Sequence, residues 1–108
     1  MGHLRIDSSA GIVIGGNLTA GVLGNGAITL NPTGTLTRTT GTLTADLINL
    51  GTNGAASAIG ASGAPIVVAG GTMNPTVAAA TTGVGGVFLN QEAGDLLTTK
   101  YTIYVDAA

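Results

Sequence analysis

Apolar and polar positions alternate along this chain in short runs of three to five residues, separated by glycine-rich punctuation. The runs are Leu4-Arg5-Ile6, Ile12-Val13-Ile14, Ala27-Ile28-Thr29-Leu30, Leu47-Ile48-Asn49-Leu50, Ile66-Val67-Val68, Thr76-Val77-Ala78, Val87-Phe88-Leu89 and Tyr101 to Val105. β-branched residues at a period of two predict half-buried strands. No stretch carries a helical face. The alanine-rich Val77 to Ala80 comes nearest, and it stops at Thr81-Thr82-Gly83 with no capping residue before it.

Two local units recur. Gly-x-Leu-Thr occurs at Gly16-Asn17-Leu18-Thr19, Gly34-Thr35-Leu36-Thr37 and Gly41-Thr42-Leu43-Thr44, with Gly94-Asp95-Leu96-Leu97-Thr98 as a looser copy. An apolar-polar-Leu unit occurs at Ile28-Thr29-Leu30 and Ile48-Asn49-Leu50, with Val87-Phe88-Leu89 as a degenerate copy. Taking Ile28, Ile48, Ile66 and Val87 as successive equivalent positions gives steps of about 20 residues, in the range that marks solenoids. That spacing predicts a parallel β-helix of about five coils, with aliphatic ladders inside, threonine and asparagine outside, and glycine at the corners. Asn25-Gly26 and Asn53-Gly54 are also respectable hairpin turns, so a sandwich of antiparallel hairpins is the competing all-β reading. It does not account for the recurrence.

Composition narrows the choice. Of 108 residues, 44% are hydrophobic, 3% aromatic and 7% charged. Disordered chains combine low hydrophobicity with high charge, the reverse of what stands here. Apolar runs never approach the roughly 20 residues that a membrane-spanning helix needs. Scarce aromatics suit a narrow lumen packed with aliphatic side chains. Five acidic and three basic residues give a net charge of −2 with no basic stripe, which argues against nucleic-acid binding. There is no cysteine, and Met1 to Gly15 lacks the pattern of a signal peptide. Met1-Gly2-His3 reads as a cloning leader. The expected organisation is a leader or first strand over residues 1–10, solenoid repeats over 11–99, and a terminal strand over 100–108.

Three segments, Gly41-Thr-Leu-Thr-Ala-Asp-Leu-Ile-Asn-Leu-Gly51, Ile59-Gly-Ala-Ser-Gly-Ala-Pro-Ile66 and Gly85-Gly-Val-Phe-Leu-Asn-Gln-Glu-Ala-Gly-Asp-Leu96, resemble the repeats of large bacterial adhesins of the filamentous-haemagglutinin type. The resemblance spans Gly11 to Thr99. It implies a right-handed parallel β-helix, exported to the bacterial cell surface or secreted, with a targeting signal outside this stretch. In such a setting the module is a structural or adhesive stalk, and the partner implied is a host-surface or glycan receptor. Lys100 to Val105, which holds both tyrosines, has no counterpart in the repeats.

Chemistry is sparse. The titratable supply is Asp7, Asp46, Glu92, Asp95, Asp106 and His3, and catalysis needs such groups to converge. Glu92 and Asp95 are the one close acidic pair and read as a solvated turn, short of the oxygen ligands that Ca²⁺ requires. Gly11-Ile-Val-Ile-Gly15-Gly16 and Gly83-Val-Gly85-Gly86 lack the Lys-Ser/Thr of a phosphate loop. Ser8, Ser9, Ser57 and Ser62 have no activating base. The expectation is therefore a non-catalytic protein with no cofactor and no metal. Thr35, Thr37, Thr42 and Thr44 alternate around Leu36 and Leu43, and an outward threonine array of this kind is the alternative, an ice-binding or other flat-face surface. Tyr101, Ile103, Tyr104 and Val105 are the expected assembly edge. That strand either caps its own chain or adds to the edge of another, and the expected partners of the solenoid ends are neighbouring coils of a longer parent chain or, through unpaired strand edges, further copies of the chain.

Overall fold

A computed structural model describes residues 2–21, 26–70 and 75–106. The strands are β1 (Gly2–Ser8), β2 (Ile12–Gly15), β3 (Leu18–Thr19), β4 (Gly26–Pro32), β5 (Leu36–Thr40), β6 (Leu43–Thr44), β7 (Leu47–Thr52), β8 (Ile66–Val68), β9 (Thr76–Thr81), β10 (Leu89–Gln91) and β11 (Tyr101–Val105). The only helical turn among the described residues is a 3₁₀ turn at Thr98–Lys100. Every ladder between these strands is parallel. The chain is a β-solenoid with four coils and the first strand of a fifth.

Three sheets form the faces. Sheet A runs β1-β4-β7-β9-β11, sheet B pairs β2 with β5, and sheet C runs β3-β6-β8-β10. Single parallel bridges carry sheet B onward from Leu36 to Ile59 and then to Val87. Each coil visits A, B and C in turn, so each strand lies about 4.8 Å from its equivalent in the next coil. The hairpin sandwich is excluded by this parallel order. Asn25 lies outside the described residues, while Asn53-Gly54 begins a corner in which the Ser57 N–H donates to the Gly54 carbonyl at 3.0 Å.

Alternation decides which side chains fill the lumen. In sheet A, Leu4, Ile28, Ile48, Val77 and Tyr101 form one inward column, and Ile6, Leu30, Leu50, Ala79 and Ile103 the next. Sheet C contributes the column Leu18, Leu43, Val68 and Gln91. Ile28, Ile48, Leu30, Leu36, Leu43, Ile59, Ile66 and Val77 are fully buried, and each such side chain contributes about 1.5–3 kcal/mol of transfer free energy. The end coils have a neighbour on one side only, so Leu4, Ile6, Ile12 and Leu18 are half-buried.

The repeat differs in detail from the sequence reading. Successive rungs of sheet A are Leu4, Ile28, Ile48, Val77 and Tyr101, at steps of 24, 20, 29 and 24 residues. Ile66 does not follow Ile48: it lies in sheet C under Leu89. Val87-Phe88-Leu89 straddles sheets B and C and is no copy of the Ile-x-Leu unit. The alanine-rich Val77 to Ala80 is strand, in register with both β7 and β11. Tyr101 to Val105 does have counterparts, as the fifth strand of sheet A.

Corners impose their own residues. Gly41, between sheets B and C, has φ +105°, and a Cβ there would lie 2.1 Å from the Gly16 carbonyl oxygen of the coil beneath. Neither the dihedral nor the space admits a side chain. At the corner between sheets A and B in coils three and four, Thr52, Thr81 and Ser57 are buried together. The Thr52 hydroxyl donates to Thr81 Oγ1 at 2.5 Å, the Ser57 hydroxyl to the Gly54 carbonyl at 2.6 Å, and the Gly83 N–H to Thr81 Oγ1 at 3.0 Å. No buried side-chain polar atom among the described residues lacks a partner, which spares the fold the roughly 1–3 kcal/mol that each orphan costs.

Candidate functional site

The four threonines do not form one surface. Thr35 and Thr37 flank Leu36 in sheet B, Thr42 and Thr44 flank Leu43 in sheet C, and the Gly41 corner turns the chain between them. All four are half-buried. Thr37 stands beside Val13 and Thr44 beside Thr19, and the Thr42 N–H donates to Asn17 Oδ1 at 3.0 Å. A flat threonine plane needs one sheet, and these residues are divided between two.

The expected assembly edge has a more definite structure. Tyr101 tops the Leu4-Ile28-Ile48-Val77 column, and Gln91 tops the Leu18-Leu43-Val68 column. These two residues meet across the lumen: the Tyr101 hydroxyl donates to Gln91 Oε1 at 3.0 Å. Gln91 Nε2 in turn donates to the Ala93 and Asp95 carbonyls, each at 3.0 Å, which ties the 92–97 loop to the end of sheet C. Tyr101 is half-buried, and desolvation pushes its phenol pKa above the ordinary value. Beside it lies a hollow of about 270 Å³ lined by Val87, Leu89, Leu96, Thr98, Tyr101 and Ile103. Tyr101, Gln91 and Leu96 thus partly close the lumen of their own chain.

Ile103, Tyr104 and Val105 remain exposed, and the Tyr104 hydroxyl donates to Asp106 Oδ2 at 3.2 Å. That bond, with the nearby negative charge, raises the Tyr104 pKa. Sequence reasoning misses Gln91 as a site residue. The signal that marks it is an amide at the end of an otherwise aliphatic column, visible only once the register is known.

At the opposite end, Arg5 and Asp7 lie two residues apart on the outer face of β1, with Arg5 Nε 3.0 Å from Asp7 Oδ2. Asn31 Nδ2 of the next coil donates to Asp7 Oδ1 at 3.2 Å. The two donors, Arg5 first, hold the Asp7 carboxyl below its usual pKa. Shallow depressions on the same face, over Gly51 and Ala80, have walls of Asn31, Asn49 and Tyr104.

Among the described residues there is no group of three or more histidine, cysteine, aspartate or glutamate side chains placed to hold a metal ion. Glu92 Oε2 accepts from the Thr42 hydroxyl at 3.4 Å and is in no such cluster. Ser57 is sequestered in the corner described above, without a base. No helix of the described residues is long and apolar enough to cross a membrane. Comparison with protein families, with curated proteins and with solved structures returns no match.

Proposed function

We propose that this chain is a structural module, a rigid β-solenoid segment of the stalk of an exported, adhesin-like bacterial surface protein, without catalytic activity. The observation that carries the reading is the unbroken sheet A, in which five strands stack in register over columns that are aliphatic as far as Tyr101. A one-dimensional stack converts chain length into rigid length, which is what a spacer requires. The surface adds to this: it is polar through Thr, Asn and Ser, nearly uncharged, and its depressions are shallow. The bacterial and exported setting rests on the motif resemblance and on this composition.

The test places the module between two fluorescent proteins and measures their separation by energy transfer in rising urea. The reading expects one narrow distance distribution that persists until cooperative unfolding. A distribution as broad as that of a Gly/Ser linker of equal length, or saturable turnover of any substrate, overturns it.

A further inference from the structure

One corner of the solenoid carries a reactive pair that its own packing prevents it from losing. The chain leaves β7 through Asn53 and Gly54 before Ser57 turns inward. Gly54 lies against the Thr33 carbonyl oxygen of the coil beneath, and a Cβ at this position would come within 2.6 Å of it. The obstacle is main chain, so only glycine fits. Ser57 fixes the far side of the same residue, since its N–H and its hydroxyl both donate to the Gly54 carbonyl, at 3.0 and 2.6 Å. The Gly54 nitrogen takes no part in this anchoring, and it donates no hydrogen bond among the described residues. Asn53 is exposed and borders an open depression of about 280 Å³ that it shares with Asn31, Thr33 and Ala80.

We propose that Asn53 is a site of spontaneous covalent modification, converted through a cyclic imide with Gly54 to aspartate and isoaspartate. The Gly54 nitrogen attacks Asn53 Cγ, the N–Cγ bond forms as the Cγ–Nδ2 bond breaks, and Nδ2 leaves as ammonia with the amide proton. Water then opens the ring. Cleavage at Cγ restores the original main chain with aspartate, and cleavage at the Asn53 carbonyl carbon routes the chain through Cγ as isoaspartate. Water is the only co-reactant. Glycine favours the attack because no side chain crowds its nitrogen. Other described asparagines lack this combination. Asn31 precedes Pro32, whose nitrogen has no proton to lose. Asn17, Asn49 and Asn90 precede Leu18, Leu50 and Gln91, which carry side chains beside the nitrogen. Two of these amides are also engaged, Asn17 Oδ1 accepting from the Thr42 N–H at 3.0 Å and Asn49 Nδ2 donating to Thr29 Oγ1 at 3.5 Å. Each event adds one negative charge to a chain of net charge −2, and isoaspartate adds a methylene to the main chain beside the buried Thr52, Ser57 and Thr81 hydroxyls. The site lies between β7 and β8 and stands whether or not the module serves as a stalk.

Peptide mapping by mass spectrometry of the 108-residue chain, incubated folded at mildly alkaline pH, tests it. Circular dichroism confirms that the chain stays folded, and a free peptide of residues 51–56 sets the reference rate. The expected result is a gain of about 1 Da at Asn53, which chromatography resolves into two products of equal mass. It proceeds at a rate of the same order as in the free peptide, while Asn17, Asn49 and Asn90 keep their mass. Asn53→Gln, whose cyclisation needs a six-membered ring, stays folded and loses the gain. A folded wild-type chain in which Asn53 stays intact while the free peptide converts overturns the proposal. So do conversion at Asn17, Asn49 or Asn90 as fast as at Asn53, or an Asn53→Gln chain that gains mass at residue 53 as fast as wild type.

Discussion

Replacing Ile48 by alanine removes a side chain from the middle of an inward column. Ile48 is 0% exposed, with Ile28 of one neighbouring coil and Val77 of the other in register with it. The substitution deletes three carbons, which at about 0.8 kcal/mol each amounts to roughly 2.4 kcal/mol of lost transfer free energy. Rungs on both sides hold the void open, and a cavity contribution brings the cost to about 3–4 kcal/mol. Ile103 supplies the comparison within the same chain, since it is 44% exposed and has only Ala79 of the preceding coil beside it. The same deletion there leaves no enclosed cavity and costs about 1 kcal/mol. For a domain near this size, each kcal/mol moves Tm by about 4 °C or more. Ile48→Ala then melts at least about 12 °C below wild type, and Ile103→Ala about 4 °C below. Urea unfolding followed by far-ultraviolet circular dichroism gives the free energies, with an unchanged m-value required for the comparison. Equal costs at the two positions, or an Ile48→Ala cost below about 1 kcal/mol, refute the sandwiched-rung argument.

Four further outcomes are expected. Ile48→Asp sets an unpaired charge among the columns and unfolds the chain or lowers its stability beyond the alanine variant, as a thermal melt reports. Gly41→Ala costs at least about 1 kcal/mol in the same urea assay, since both the positive φ and the Gly16 carbonyl oppose a Cβ. Tyr101→Phe keeps the ring over the lumen but loses the bond to Gln91, for about 0.5–1.5 kcal/mol, and Gln91→Ala costs more because it also releases the Ala93 and Asp95 carbonyls. Asp7 has a pKa lowered by folding, so its stabilisation is complete above the ordinary carboxylate range near pH 4 and is lost as pH falls below it. Melts across that window drop less steeply for Asp7→Asn than for wild type.

Much of the fold is legible in the residue pattern, because a solenoid writes its core locally. Ile28-Thr29-Leu30 over Ile48-Asn49-Leu50 is a repeat in sequence and a pair of stacked rungs in space. Leu18 and Leu43, from two Gly-x-Leu-Thr units, also stack on each other. The third unit misleads: Leu36 has the same local sequence but pairs with Ile12 on another face. An apolar-x-apolar run fits any of the three sheets, so its sequence does not say which face it occupies. Corner lengths vary as well. Gly51 to Ile66 includes a long corner around Ser57, which makes the third step of sheet A 29 residues and hides Val77 as the partner of Ile48. Ser57 itself reads as a surface serine, since nothing local shows that Thr52 and Thr81 of successive coils come together beside it.

The end structures are legible only in part. That Tyr101 to Val105 differs from the other strands follows from its aromatic residues, which are both tyrosines of the chain. That Tyr101 reaches Gln91 depends on the register of two separate sheets. The Arg5–Asp7 pair lies inside a segment that reads as a leader, and its place on the outer face of sheet A is set by pairing of β1 with β4, 24 residues away.

The stacking order of the coils is tested most directly by nuclear Overhauser contacts between methyl groups in the selectively labelled chain. Parallel stacking predicts cross-peaks linking Ile28 to Ile48 and Ile48 to Val77 on one face, and Leu18 to Leu43 and Leu43 to Val68 on another. A spectrum in which Ile48 contacts Ile66 but neither Ile28 nor Val77, or in which neighbouring strands show antiparallel contacts, contradicts it.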